Sequence, residues 1–357
     1  MRIVSIVGAR PQFIKAAPVS LALREQHDEV LVHSGQHYDA AMSDVFFEQL
    51  GIPAPDHELG IGSGPHGQQT GAMLAAIESL LLADRADAVL VYGDTNTTLA
   101  GGLAAAKLGI PVLHVEAGLR SFNRAMPEEI NRVLVDHVAT LLFCPTQTAA
   151  DNLAAEGITS GVHVVGDVMM DTLRLFAERA DDDGTLSRFG VTPGKYHLAT
   201  VHRAGNTDDP AALASLIEGF ALVREPVLWA IHPRTRARLA AFGLDGAVAA
   251  AANVRVLDPL GYLETMTLLR SARTLLTDSG GMQKEAYFFG VPCVTLRAET
   301  EWVETVELGW NTLAGTDPAR IAAAAAAATR PAGRPPVYGD GHASERVAEI
   351  IGQLRRS

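Results

Sequence analysis

Short apolar runs bounded by Gly, Pro or Asp alternate with longer helical patterns along the chain, the grammar of βαβ units, and predict an α/β protein. In the first half the runs fall at 2–7, 29–33, 88–92, 112–115, 140–144 and 162–165. In the second half they fall at 196–201, 226–231, 254–257, 273–277 and 292–296. They are rich in Val, Ile and Leu without clean alternation, as parallel strands buried on both faces require. Ala180-Asp181-Asp182-Asp183-Gly184 and Val191-Thr192-Pro193-Gly194 interrupt the pattern, so 168–195 reads as a crossing region. The 357 residues suit two domains of about 100–200 residues each. We expect Rossmann-like domains over 1–170 and 171–342, with a last helix over 343–357 packing back on the first. Open parallel sheets bind ligands outside the carboxyl ends of their strands. Two such sheets facing a central cleft should therefore carry polar residues just after each strand.

Composition narrows the partners. A net charge of −12, from 29 Lys+Arg against 41 Asp+Glu, argues against a nucleic-acid partner, which needs a basic face. Met1 leads straight into the strand pattern Arg2-Ile3-Val4-Ser5-Ile6-Val7, so a signal peptide is not expected. No run approaches the roughly 20 apolar residues that span a bilayer, so neither is a membrane partner. Cys144 and Cys293 sit in apolar runs and read as buried thiols rather than a disulfide or a metal site. A cytoplasmic enzyme fits these features.

The chemistry-bearing residues follow the strands. The first strand runs into Gly8-Ala9-Arg10-Pro11-Gln12-Phe13-Ile14-Lys15, a glycine turn with two cations and a helix start that suit an anion or sugar. It is not the Gly-x-Gly-x-x-Gly of dinucleotide sites. Val89-Leu90-Val91-Tyr92 delivers Gly93-Asp94-Thr95, with Asp94 either facing the crevice or simply capping the next helix. Val112-Leu113-His114-Val115 delivers Glu116, a carboxylate directly after a buried strand, which needs a partner. Pro127-Glu128-Glu129-Ile130-Asn131-Arg132 reads as a helix start with proline in the first turn. Asp94, Glu116 and Glu128 converging with Arg132 suit proton transfer. Metal binding is the rival, and the absence of a compact Asp-x-Asp argues for the former.

In the second half two strands end in His202-Arg203 and His232-Pro233-Arg234, a repeat that points to site chemistry. Leu275-Leu276-Thr277 then delivers Asp278-Ser279-Gly280-Gly281. The bare backbone N–H groups of Ser279, Gly280 and Gly281 at a helix start suit a diphosphate. Glu285, about one turn on, suits ribose hydroxyls, as acidic residues do in other nucleotide sites.

Taken in order, these segments resemble the non-hydrolysing UDP-N-acetylglucosamine 2-epimerases. Gly8 to Lys15, Gly35-Gln36-His37, Gly93-Asp94-Thr95, His114 to Arg120, Pro127-Glu128-Glu129, Asn131-Arg132, His202-Arg203 and Asp278 to Gly281 carry the likeness over nearly the whole chain. The resemblance implies a GT-B fold, a UDP-sugar substrate, no nicotinamide cofactor, no required metal and a homodimer. It implies Asp94, Glu116 and Glu128 as acid/base groups, with His202 assisting at the diphosphate or leaving oxygen. Arg10 and Lys15 would orient sugar or phosphate, and Arg132 would support the carboxylates; His232 joins the substrate-binding set on the repeat of strand-end histidines, not on the resemblance. Ser279, Gly280 and Gly281 would hold phosphate, with Glu285 on ribose. The implied reaction breaks the anomeric bond to UDP, which acidifies the hydrogen on carbon 2, and passes through a 2-acetamidoglucal.

Several positions depart from the commonest bacterial pattern. Gln12 stands for a glutamate, Ala204-Gly205 follows His202-Arg203 without one, and Trp302 stands for an arginine. Tyr38-Asp39 replaces Arg-Glu in the region of that branch's activating UDP-sugar site, so allosteric activation by substrate is not expected. With Asn123 to Pro127 and Lys284 to Phe289, these variants resemble the branch of UDP-2,3-diacetamido-glucuronate 2-epimerases. The competing readings are a GT-B glycosyltransferase, a hydrolysing epimerase and a nucleotide-binding module without activity.

Overall fold

In the computed structural model, which describes residues 1–36, 53–176 and 182–354, the chain forms two sheets in which every pairing is parallel. The first holds β1 (Arg2–Val7), β2 (Asp28–His33), β3 (His57–Glu58), β4 (Ala88–Tyr92), β5 (Val112–Val115), β6 (Leu141–Cys144) and β7 (Val162–Val164), in the order β3-β2-β1-β4-β5-β6-β7. The second holds β8 (His197–Thr200), β9 (Val227–Ala230), β10 (Val254–Leu257), β11 (Thr274–Thr277), β12 (Cys293–Thr295) and β13 (Asn311–Leu313), in the order β10-β9-β8-β11-β12-β13. Each order reverses direction once, between β1 and β4 and between β8 and β11. Ligands of doubly wound sheets bind at the carboxyl ends beside that reversal.

Burial explains the sequence pattern. Val4, Ile6, Val89 and Val91 of the first sheet pack with Met73 and Ile77 of the helix His66–Ala83. In the second, Trp229 of β9 meets Phe220 edge-on at 5.4 Å between ring centres, with Leu216 and Leu276 in the same core. Two strands escaped the sequence reading. β3 has two residues, both exposed, and β13 has three, at the rim of its sheet. Edge strands this short leave no apolar run to recognise.

The chain divides into two compact units, Met1–Ala177 with Pro336–Ser357, and Glu178–Pro335. The helix Ala343–Gln353 packs on the helix Arg10–Arg24. Its first turn is held by Asp171, whose carboxylate accepts from the backbone N–H of Ser344 at 2.9 Å and of Ala343 at 3.2 Å. None of the described helices is long and apolar enough to cross a membrane.

Both cysteines are buried and free. Burial pushes each thiol up to about 12. Both are therefore neutral and shielded at pH 8, and the thiolate is the reactive form. A disulfide-exchange reagent at that pH should titrate no thiol in the folded protein and both after denaturation. A fast native reaction at either position would contradict this burial.

Candidate functional site

In the first unit the residues after β1, β4 and β5 form one charged cluster. Gly93 turns the chain at φ +65°, and a Cβ there would lie 3.1 Å from Lys15 Nζ and 3.2 Å from Glu116 Oε2. The left-handed backbone and this close approach both favour glycine here. Lys15, on the helix Arg10–Arg24, forms an ion pair with Glu116, and both side chains are largely buried. That lysine is the partner which a carboxylate after a buried strand requires. Glu116 has φ +70°, an arrangement costing about 1–3 kcal/mol for a residue with a Cβ. The N–H groups of Glu116 and Ala117 both donate to Phe143 O at 3.1 Å and hold it there.

Asp94 is not the helix cap. Thr95 caps the helix Asn96–Lys107 by accepting from Thr98 N at 3.3 Å, while the Asp94 carboxylate pairs with Arg132. Asn131 Nδ2 donates to Asp94 O at 2.9 Å, tying the turn to the helix Pro127–Val138. Glu128 is half-buried and precedes Arg132 by four residues on that helix, hence lies on the same face. Arg10 opens its helix, but its side chain lies outside the described residues, as do His37, Tyr38 and Asp39. Gln12 Oε1 accepts from Gly8 N at 2.9 Å and Ala9 N at 3.0 Å, while Nε2 donates to Tyr92 O and Thr98 Oγ1. A glutamate there would set an acceptor against Tyr92 O, so the amide suits this turn.

In the second unit His202, His232 and Ser279 follow the neighbouring strands β8, β9 and β11. The two imidazole rings lie 6.0 Å apart. The fully buried Asp278 accepts from His202 N at 3.0 Å, Arg203 N at 2.9 Å and Asn206 Nδ2 at 3.0 Å, and lies 3.3 Å from His202 Nδ1. It thereby orients a histidine whose ring is partly open to solvent. His232 caps its own helix, with Nδ1 accepting from Arg234 N at 3.2 Å. Arg234 is drawn to Asp208 at the surface.

Ser279 caps the helix Gly280–Phe289 by accepting from Met282 N at 3.4 Å. Gly280 is buried against Glu301, and a Cβ there would collide with that carboxylate. Gly281, half-buried, follows it in the first turn, and Glu285 is buried further along the same helix. Lys284 Nζ lies 3.9 Å above the Trp302 ring. An arginine at 302 would oppose a second cation to Lys284, whereas an aromatic face attracts it. Among the described residues no group of three or more His, Cys, Asp and Glu is arranged to hold a metal ion.

Sequence reasoning gave Glu129 no role. It is buried at 1% exposure and accepts from Ser121 N and Oγ at 2.9 Å, Phe122 N at 3.0 Å and Arg132 Nη1 at 3.0 Å. Its three-residue spacing to Arg132 was the available signal.

Two parallel-sheet units of this strand order, each with its polar residues gathered at the reversal, define a GT-B-type α/β protein. The family model for UDP-N-acetylglucosamine 2-epimerase matches residues 20–352. A UDP-N-acetylglucosamine 2-epimerase homolog of Methanococcus maripaludis is 50% identical over 99% of this chain and 100% of its own. The UDP-2,3-diacetamido-2,3-dideoxy-D-glucuronate 2-epimerase of Pseudomonas aeruginosa is also 50% identical, over 99% and 100%. The Methanocaldococcus jannaschii UDP-GlcNAc 2-epimerase, in a crystal structure with UDP-GlcNAc and UDP, superposes with a TM-score of 0.93 at 42% identity, over 99% of each chain. The chain belongs to the UDP-N-acetylglucosamine 2-epimerase family, whose members are isomerases.

Proposed function

We propose that the protein interconverts UDP-GlcNAc and UDP-ManNAc by eliminating UDP and adding it back. The observation that carries this reading is the cluster of Asp94 and Glu116, each bound to a buried cation, at the carboxyl ends of adjacent strands. The hydrogen on carbon 2 of the sugar has no neighbouring carbonyl and is not acidic in the ground state. As the anomeric C–O bond breaks, its electron pair leaves with the diphosphate oxygen and carbon 1 becomes oxocarbenium-like. A carboxylate then takes the carbon 2 proton, and the C–H electrons form the double bond of a 2-acetamidoglucal. Protonation from the opposite face, with return of UDP to carbon 1, gives the epimer.

In this reading the first unit works on the pyranose. Asp94, Glu116 and Glu128 exchange protons, Lys15 and Arg10 orient the sugar or its phosphate, and Arg132 holds Asp94. The second unit holds the leaving group: Ser279, Gly280 and Gly281 offer backbone N–H groups to the diphosphate, and Glu285 takes the ribose. His202, oriented by Asp278, stabilises the departing oxygen, and His232 stands beside it. Neither a metal nor a redox cofactor enters the scheme.

A diacetamido-uronate substrate is the second reading, favoured by the Pseudomonas aeruginosa relative and by Trp302 with Lys284. We place the enzyme in the cytoplasm as a homodimer. Supporting the dimer, Ile130, Leu134 and Val138 are 43%, 48% and 37% exposed, at four-residue spacing along one helix.

The test is incubation in heavy water with UDP-GlcNAc and with the diacetamido-uronate. Proton NMR should show deuterium entering carbon 2 without any acceptor. Transfer to an acceptor with no isotope entry would establish a glycosyltransferase instead, and irreversible release of UDP a hydrolysing enzyme.

A further inference from the structure

We propose that the buried pair His114–Asp136 is a positioning device that fixes the turns presenting Asp94 and Glu116 against the helix that carries Glu128. The inference rests on the catalytic reading of those three carboxylates.

His114 lies on β5 with no exposure to solvent. Its Nε2 is 2.7 Å from Gly93 O and its Nδ1 is 2.7 Å from Asp136 Oδ1. A carbonyl only accepts, so Nε2 donates to Gly93, the residue immediately before Asp94. The other ring nitrogen meets a carboxylate that is itself fully committed. Asp136 Oδ2 accepts from Gly118 N at 3.1 Å, two residues after Glu116, and from Arg120 Nη1 at 2.7 Å. Burial alone would push the Asp136 carboxyl up, but the hydrogen bonds and charges of His114 and Arg120 hold it below the usual carboxylate range. Arg120 is in turn anchored by Glu156 at 2.7 and 2.8 Å.

Three segments therefore meet at one pair of side chains. One arm reaches the turn after β4, another the turn after β5, and Asp136 belongs to the helix Pro127–Val138 with Glu128 and Arg132. Neither His114 nor Asp136 reaches the surface, so neither touches substrate, and their influence passes through the backbone of Gly93 and Gly118. Displacing a catalytic group by about 1 Å can cost 10²-fold in rate.

Two conservative variants separate the arms. In His114→Gln the amide nitrogen occupies the place of Nε2 and keeps the bond to Gly93 O. In His114→Asn it occupies the place of Nδ1, keeps Asp136 and loses Gly93. Turnover is measured well below the melting temperature of each variant, with Asp94→Asn alongside. We expect His114→Asn to lose about 10²-fold in kcat, with KM and UDP affinity within about threefold of the parent. His114→Gln should retain clearly more activity.

A folded His114→Asn enzyme at the parent kcat overturns the inference, as does an equal loss in both variants, which marks a merely structural residue. Should His114→Asn fail to fold, Asp136→Asn carries the test, because its amide faces Nδ1 and Arg120 with a donor. Parent kcat in that variant also overturns the inference. Asp94→Asn at the parent rate removes the catalytic reading and the inference with it. Asp94→Asn without activity beside a fully active His114→Asn removes the inference alone.

Discussion

Asp94→Asn and Glu116→Gln should each lower kcat by about 10²–10⁴-fold, the contribution of a positioned acid or base, while UDP affinity stays within about threefold. Both substitutions keep the side-chain shape and remove only charge and proton capacity. Asp94 would still meet Arg132 through its amide oxygen, and Glu116 would still meet Lys15. The unit holding the proposed diphosphate turn contains neither residue, so nucleotide binding has no direct reason to change. Isotope exchange sharpens the reading. If one carboxylate serves each face of the sugar, one variant should still exchange deuterium into the substrate while failing to form the epimer. Equal kcat in parent and variants, measured at saturating substrate, would take proton transfer away from this cluster.

Arg132→Met should produce the largest loss of stability. Arg132 is 2% exposed and its guanidinium meets both Asp94 and Glu129. Methionine fills much of the volume, but Glu129 is left as a buried carboxylate whose remaining donors are all neutral. Breaking a buried pair from one side costs about 3–5 kcal/mol, or roughly 6–20 °C in the melting temperature of a unit this size. Calorimetry should show the loss in the transition of the first unit. Adding Glu129→Gln should recover part of it by removing the stranded charge. A shift under about 2 °C would mean that the pair contributes little.

Most strands were legible because parallel strands covered on both faces must be apolar throughout, and a polar residue after such a run has few places to go. Asp94, Glu116 and His202 all stand out for that reason. Contacts between residues distant in sequence were not legible. Nothing in the spacing of Lys15 and Glu116 announces their ion pair, and His114 reads as one more residue of an apolar strand until Asp136 is placed beside it. Glu129 was overshadowed by its neighbour Glu128, although only Glu129 is fully buried. The departures from the commonest family pattern were visible as letters, whereas their reasons lay in partners. Gln12 needs its amide for Tyr92 O, and Trp302 receives Lys284.

The return of the helix Ala343–Gln353 to the helix Arg10–Arg24 bears on how the chain is made. A ribosome delivers the N-terminal sheet first, yet the surface of that opening helix stays uncovered until about 180 further residues have emerged. The intervening unit is continuous in sequence, so all its strands have been made before that last helix is. The first unit is completed only when the buried apolar positions of that helix, such as Val347 and Ile351, are added. Vectorial synthesis thus leaves the closing helix of the first unit to be added after the whole of the second has been made.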